Sequence, residues 1–476
     1  MSRQIHWDQK LINRYNVSGP RYTSYPTALE FSPTVNNQSY LKALQDLPKS
    51  NHLSLYVHIP FCWHVCYYCA CNKVVTRDYD RVSPYLDALL KEIETVSSQL
   101  KGQTVTQVHF GGGTPTFLNR DDLNSLMNQL RHAFNFADNQ ELECSIEIDP
   151  RTVTVDDLKH LKTLGFNRLS LGVQDFDSSV QKAVNRVQSE HEIEQLMTAA
   201  RELKFDSISF DLIYGLPKQT VTSFNATLDK VIQLQPDRLS VFNYAHLPHR
   251  FKPQRRIKAE ELPGSDDKLN ILHNTIDRMQ SAGYVYIGMD HFALPTDELA
   301  IAQSKGELHR NFQGYTTQKH CDLIGLGVSA ISSLQANEQS AGIYSQNARE
   351  LTDYMQQVKH SGLAVWRGAH LSRDDQIRKS IIFELICNFS LDITASQEHW
   401  GINFRDYFVS SIEALNRLED DGMIVMSESN ISITDRGRLF VRNVCMAFDS
   451  YFFGGRFGEN LLHSSSGVTN AYSKAI

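Results

Sequence analysis

Between Ser54 and Pro248 short strand-like runs alternate with helical stretches. The strands are expected at 54–60, 105–111, 142–149, 166–174, 207–214 and 238–245. Helices are expected at about 81–98, 121–134, 155–163, 190–203 and 220–234. Six strand-plus-helix units at this spacing predict a parallel sheet curved into a barrel. The strand faces are unusual. Ser145, Glu147 and Asp149 alternate with Ile146 and Ile148; Arg168, Ser170, Gly172 and Gln174 alternate with Leu169, Leu171 and Val173; Ser207, Ser209 and Asp211 alternate with Ile208, Phe210 and Leu212. Parallel strands covered by helices normally read as continuous apolar runs, and a closed barrel fills its interior with branched apolar side chains. Buried carboxylates need partners. An incomplete barrel with a polar lumen, its charges gathered toward the C-terminal strand ends, satisfies both constraints.

Outside this core the pattern changes. Residues 15–28 hold too many turn formers for a long helix and read as an ordered loop. Within it Arg21, Tyr22 and Tyr25 either line a ligand or anchor a leader, and composition favours anchoring. A helix is expected from Ser265 to Gly283, and Leu323–Ile331 is apolar and Gly-rich, suited to close backbone packing. His291 has no partner at metal-site spacing. Helices at 373–388 and 404–419, a hairpin within 421–437 and a helix at 435–446 make a winged-helix-like arrangement. Glu428, Asp435 and Glu419–Asp421 argue against nucleic acid there. The resulting division is a leader (1–50), a barrel with an extension (51–360) and a mainly helical C-terminal domain (361–476), ending in a Gly- and Ser-rich tail.

Charge and composition narrow the class. A net charge of −7 argues against nonspecific nucleic-acid binding. No segment approaches the apolar length of a membrane span, and the first residues hold no apolar signal core, so a reducing cytoplasm is expected.

The candidate chemistry follows the first strand. Of eight cysteines, four are Cys62, Cys66, Cys69 and Cys71. Cys62, Cys66 and Cys69, spaced C-x3-C-x2-C, can hold three irons of a cubane and leave the fourth open to a chelating ligand. Structural zinc, which usually pairs its cysteines in two separated halves, a disulfide framework and inert buried thiols stay as other readings. Gly111–Gly113, closing the second strand, let the backbone approach a ligand; with no dinucleotide or phosphate-loop spacing, a plain turn is the other reading. Arg186 either neutralises a ligand carboxylate or is a solvated helix residue.

Together these stretches resemble the radical S-adenosylmethionine superfamily and, within it, the oxygen-independent coproporphyrinogen III oxidase family. The narrower likeness rests on Cys71 after the triad, Arg21–Ala28, Gly165–Ser170, Gly172–Phe176, Asp211–Pro217, Asn311–Thr317 and Arg442–Met446. It implies a three-quarter parallel (β/α)6 barrel with one 4Fe–4S cluster on Cys62, Cys66 and Cys69, and a required Cys71 that is not a ligand. It implies a first S-adenosylmethionine held with Tyr56, Gly112, Glu147 and the Ile331 backbone. A second would touch Tyr68, Gly113, Thr114, Gln174, Arg186, Asp211 and Ala245. The implied reaction is radical abstraction of a propionate β-hydrogen from coproporphyrinogen III. Loss of carbon dioxide then leaves a vinyl group on rings A and B, giving protoporphyrinogen IX. A flavodoxin or ferredoxin donor and a monomer are implied too, and Arg21, Tyr22 and Tyr25 become candidate propionate partners. The alternatives are a related heme chaperone or heme-degrading methyltransferase, and a metal-stabilised interaction module.

Overall fold

The computed structural model describes residues 5–138, 140–335, 341–453 and 474. The chain forms two compact units: Phe31–Asn274 with His320–Leu371, and Met1–Glu30 with Thr275–Lys319 and Ser372–Ile476. Residues 31–50 and 361–371 therefore belong with the barrel, and 275–319 with the C-terminal stretch.

The first unit carries the alternating strands. These are β1 (His52–Ile59), β2 (Thr104–Gly112), β3 (Glu143–Ile148), β4 (Arg168–Gln174), β5 (Ser207–Tyr214) and β6 (Arg238–Asn243). They run parallel in the spatial order β6–β5–β4–β3–β2–β1. Helices α1 (Val82–Ser97), α2 (Arg120–Ala133), α3 (Val155–Thr163), α4 (Glu190–Glu202) and α5 (Val221–Leu234) separate them. Caps explain several helix starts. Thr154 and Thr220 form capping boxes with Asp157 and Ser223, and Asn119 and Ser189 accept from the N–H groups of Asp122 and Glu192.

The alternation is realised in three dimensions. On β3 and β4, Ile146, Ile148, Leu169, Leu171 and Val173 are buried while the intervening polar residues are half-buried. Registers align the polar positions on one face: Tyr56 pairs with His109, His109 with Ser145, Glu147 with Ser170, Gly172 with Asp211, and Asp211 with Ser240. This is the polar lumen.

The sheet also extends past β1. The Gly-rich stretch read as close backbone packing overlaps β7 (Cys321–Leu326), which pairs parallel with β1. Antiparallel strands β8 (Ile331–Leu334), β9 (Ile343–Asn347) and β10 (Val365–His370) follow it. A Cβ on Gly325 would meet the Ile331 carbonyl oxygen at 2.5 Å, so the packing is as tight as the glycines suggest. On α1, Glu92 lies among Tyr85, Leu89, Ile93 and Val96 and is buried. It accepts hydrogen bonds from the Tyr354 hydroxyl (2.6 Å), Asn347 Nδ2 (2.6 Å) and the Gly327 N–H (2.7 Å).

In the second unit the expected helix at 373–388 spans Arg373–Asn388, started by a Ser372–Asp375 capping box. The one expected over 404–419 is two helices, Phe404–Tyr407 and Val409–Asp420. Strands Ile424–Met426 and Asn430–Ile433 pair as the wing, joined by Ser390–Asp392. The helix expected over 435–446 is a 3-10 turn at Arg438–Phe440 followed by Val441–Met446. Thr434 accepts the Gly437 and Arg438 N–H groups and holds residues 434–437 in a turn. The leader is anchored here: Arg442 Nε donates to the Pro20 carbonyl (2.8 Å) and Asn443 Nδ2 to that of Tyr15 (2.9 Å). The Gly- and Ser-rich tail over 454–473 lies outside the described residues.

Candidate active site: a cysteine loop at the rim of a polar lumen

The cysteine loop leaves the C-terminal end of β1. The Thr76 N–H donates to the Cys62 carbonyl (3.0 Å), and that of Val74 to Pro60 (2.7 Å). The Asn185 side chain bonds the Val65 carbonyl (2.8 Å), and the Tyr67 N–H that of Val184 (3.0 Å). Gly113 belongs to this cradle, because a Cβ there would meet the Pro60 carbonyl oxygen at 2.6 Å. The three triad thiols have different surroundings. Cys62 is buried, with the Thr114 hydroxyl 3.5 Å from its sulfur, and burial pushes its thiol up to about 12. Cys66 Sγ is met by two guanidiniums, Arg186 Nη1 at 3.4 Å and Arg151 Nη2 at 3.5 Å. Cys69 is drawn down to about 6 by the thiol of Cys71, with Lys73 assisting. Cys71 itself is exposed.

Asp149, just past β3, organises the guanidiniums. It accepts from Arg151 Nη2 (2.6 Å) and from Arg186 Nη1 (3.2 Å). Burial works against its charge, but the two arginines hold its carboxyl below the usual range. Arg186 Nη2 donates to the Gly172 carbonyl (2.6 Å), while its Nε is buried without a partner. Gln174 ends β4 with a left-handed φ of 66° at a register shift. A Cβ on Gly172 would lie 2.8 Å from both Gln174 Nε2 and Arg186 Nη2. These two side chains therefore crowd one glycine. Tyr68 packs beside Tyr67 against Val180, Val184, Leu216, Tyr244 and Ile257.

Deeper in the lumen Tyr56 stacks on His109 (16° between planes), and its hydroxyl meets His58 Nδ1 at 3.0 Å. His109 sits between Ser145 Oγ (2.6 Å) and Glu147 Oε1 (3.3 Å). Glu147 also accepts the Gly112 N–H (3.2 Å). Asp211 accepts from the Ser170 hydroxyl (3.0 Å), and burial plus the Glu147 charge push it up to about 6. Ala245 is exposed beyond β6, and Ile331 opens β8.

Arg151, His109 and the ion-pairing role of Asp149 are absent from the sequence reading. The alternation Gln107–His109–Gly111 carried a signal for His109. Arg151 carried none beyond its place after a strand end. The leader candidates lie in the second unit. Tyr22 and Tyr25 are buried, their hydroxyls on Asp449 (3.0 Å) and Ser450 (2.9 Å), and Arg21 pairs with Asp290.

The donor set fits a cubane cluster. Each thiolate of such a cluster serves a different iron, so the sulfurs need not converge. Among the described residues no three His, Cys, Asp or Glu side chains converge as they would on a single metal ion. Cationic donors over Cys66 suit thiolates carrying the cluster's negative charge. The unpartnered Arg186 Nε and the half-buried lumen carboxylates suit a polar ligand beside it.

Comparison with known proteins agrees with this geometry. A model described as the radical SAM superfamily matches residues 56–231, and one for the HemN C-terminal domain matches 371–440. The oxygen-independent coproporphyrinogen III oxidase of Pseudomonas aeruginosa is 54% identical over 94% of this chain and 96% of its own. That of Escherichia coli K12 is 53% identical over the same shares. A solved structure, described as coproporphyrinogen III oxidase (HemN) from Escherichia coli, a radical SAM enzyme, superposes with a TM-score of 0.89. Its identity is 51%, and the match covers 94% of this chain and all of that one. With the rim cysteines and polar lumen in place and likeness running nearly end to end, the chain belongs to the oxygen-independent coproporphyrinogen III oxidase family of the radical S-adenosylmethionine superfamily.

Proposed function

We infer that this chain catalyses the anaerobic oxidative decarboxylation of the ring A and ring B propionates of coproporphyrinogen III to vinyl groups, giving protoporphyrinogen IX. The observation that carries the reading is the Cys62–Cys66–Cys69 loop at the rim of a polar lumen, in a chain 54% identical to an oxidase named for that substrate. Its cofactors are one 4Fe–4S cluster on these three cysteines and two molecules of S-adenosylmethionine. When bound, they supply a radical that abstracts hydrogen from the substrate.

The protein's part is orientation and electrostatics. Glu147, fixed by His109 and the Gly112 N–H, presents a carboxylate to an ammonium group, with Tyr56 beside it. The Ile331 backbone and Gly112 complete the first S-adenosylmethionine subsite. Arg186, fixed by Asp149 and the Gly172 carbonyl, offers its remaining guanidinium edge to a ligand carboxylate. Tyr68, Gly113, Thr114, Gln174, Asp211 and Ala245 belong to the second subsite. Cys71 acts beside the cluster without ligating it. The leader candidates meet a propionate only by exchanging present partners, Asp290 for Arg21, Asp449 for Tyr22 and Ser450 for Tyr25. Full decarboxylation by Arg21→Gln would remove Arg21 from the substrate set. A monomer is the expected assembly.

The deciding experiment is anaerobic turnover of the reconstituted, dithionite-reduced protein with S-adenosylmethionine and coproporphyrinogen III. A monovinyl intermediate, then protoporphyrinogen IX with 5'-deoxyadenosine, methionine and carbon dioxide, is expected. Tight heme binding without vinyl products would turn the reading to a heme chaperone or heme-degrading methyltransferase.

A further inference from the structure

The connection between β6 and the helix Ser265–Ser281 gives the site described above Ala245 and the Tyr244 and Ile257 that pack on Tyr68, yet its middle stretch, unused there, is strongly basic in an acidic chain. From Arg238 to Ala259 it contains no Asp or Glu, while Arg250, Lys252, Arg255, Arg256 and Lys258 fall close together; the whole chain has a net charge of −7. All five are exposed. Among the described residues only Lys258 of these reaches a carboxylate, that of Glu261 at 3.5 Å. Arg255 Nε donates to a neutral carbonyl, Pro248 O, at 3.0 Å.

This connection is fixed to the cysteine loop. Gln254, 1% exposed, donates Nε2 to the Tyr68 carbonyl (3.0 Å) and accepts the Leu247 N–H (2.6 Å). The Arg256 guanidinium lies over the Tyr67 ring, 5.3 Å from its centre. On the loop's other flank Val187, next to Arg186, is 58% exposed, and the Tyr67 N–H bonds the Val184 carbonyl at 3.0 Å. Exposed cations and a bare apolar side chain thus lie on the two segments that are bonded to the cysteine loop.

We propose that this face, formed by Tyr67, Val187, Arg250, Lys252, Arg255 and Arg256, docks a small acidic one-electron carrier protein of flavodoxin or ferredoxin type. The proposal rests on the function inferred above, which needs an external electron. In the transfer the carrier is oxidised by one electron and the cluster reduced by one, and no atom or proton moves. Exposed like charges steer an oppositely charged partner and speed its association, and Val187 and Tyr67 give the contact an apolar centre. Tyr67 lies between Cys66 and Cys69 in the chain, so a carrier seated beside it approaches the segment that carries the triad.

The test uses the holoenzyme with reduced flavodoxin as probe and the double variant Arg250→Glu/Lys252→Glu. Arg250→Lys/Lys252→Arg is the charge-preserving control, all at equal cluster content. The charge-reversed variant should bind flavodoxin, and be reduced by it, about tenfold more weakly and slowly at low ionic strength. The gap should close near about 0.5 M salt. The control should behave as wild type, and dithionite should reduce all three and drive equal product formation. An unchanged flavodoxin reduction rate in the charge-reversed variant overturns the proposal. So does a fall in dithionite-driven turnover alone, which would assign the patch to substrate carboxylates. Wild-type protein reduced by flavodoxin but forming no vinyl product would instead sink the inferred function and leave the docking face standing.

Discussion

Asp149 and Glu92 are both buried carboxylates in the barrel unit, and their partners set them apart. Asp149 faces two guanidiniums at the rim and keeps its charge, which in turn holds Arg186 and Arg151 over the Cys66 thiol. Glu92 meets only neutral donors, and burial pushes its carboxyl up to about 7 although all three bond to it. One carboxylate organises charge for chemistry. The other ties α1 to β9, to the turn after β7 and to Tyr354. The difference teaches that burial alone does not mark a site; the charge of the partners does.

Four substitutions probe that contrast. Arg186→Met should lower kcat/KM for S-adenosylmethionine about 1,000-fold with cluster content unchanged, since it removes a preorganised cation. Near-normal kinetics would reduce the rim pair to scaffolding. Glu92→Leu should cost about 3 kcal/mol in urea unfolding of the apo-protein, because three donors lose their acceptor. Activity per folded molecule should hold, and its collapse at unchanged stability would merge the two regions into one. Glu92→Gln isolates the proton. The folded-state carboxyl sits near 7, above its ordinary value, so its contribution is full below about pH 4.5 and fades as pH rises through 7. Wild type should therefore lose on the order of 3 kcal/mol relative to Glu92→Gln across that window. Asp149 has the opposite sign: its contribution holds above its ordinary value and is lost as pH falls through the depressed one. Gly172→Ala has the smallest effect. Its Cβ meets only the far ends of Arg186 and Gln174, so the fold should persist while S-adenosylmethionine affinity, read by equilibrium binding, falls about fivefold.

The contrast also explains what was legible in the sequence. The six barrel strands and five helices were visible because period-two and helical patterns are local, and the cysteine triad because its spacing is. The polar lumen was visible because Ser145, Glu147, Ser170 and Asp211 interrupt runs that parallel strands usually keep apolar. Strand β7 was hidden because its parallel partner is distant, Tyr56 meeting Gly325, and β8–β10 only continue the sheet from it. Glu92 was hidden inside an otherwise apolar helix face, since Asn347 and Tyr354 lie more than 250 residues away. Arg151 was hidden because only folding brings it to Cys66.

The pairing of β1 with β7 has a consequence for biosynthesis. Until residues 321–326 leave the ribosome, the strand that launches the cysteine loop has β2 on one side and a bare hydrogen-bonding edge on the other. That edge runs through Leu53, Leu55 and Val57, an apolar template for mispairing. A nascent chain arrested before residue 321 would thus present β1 as an aggregation seed, and the completed β7 is what retires it.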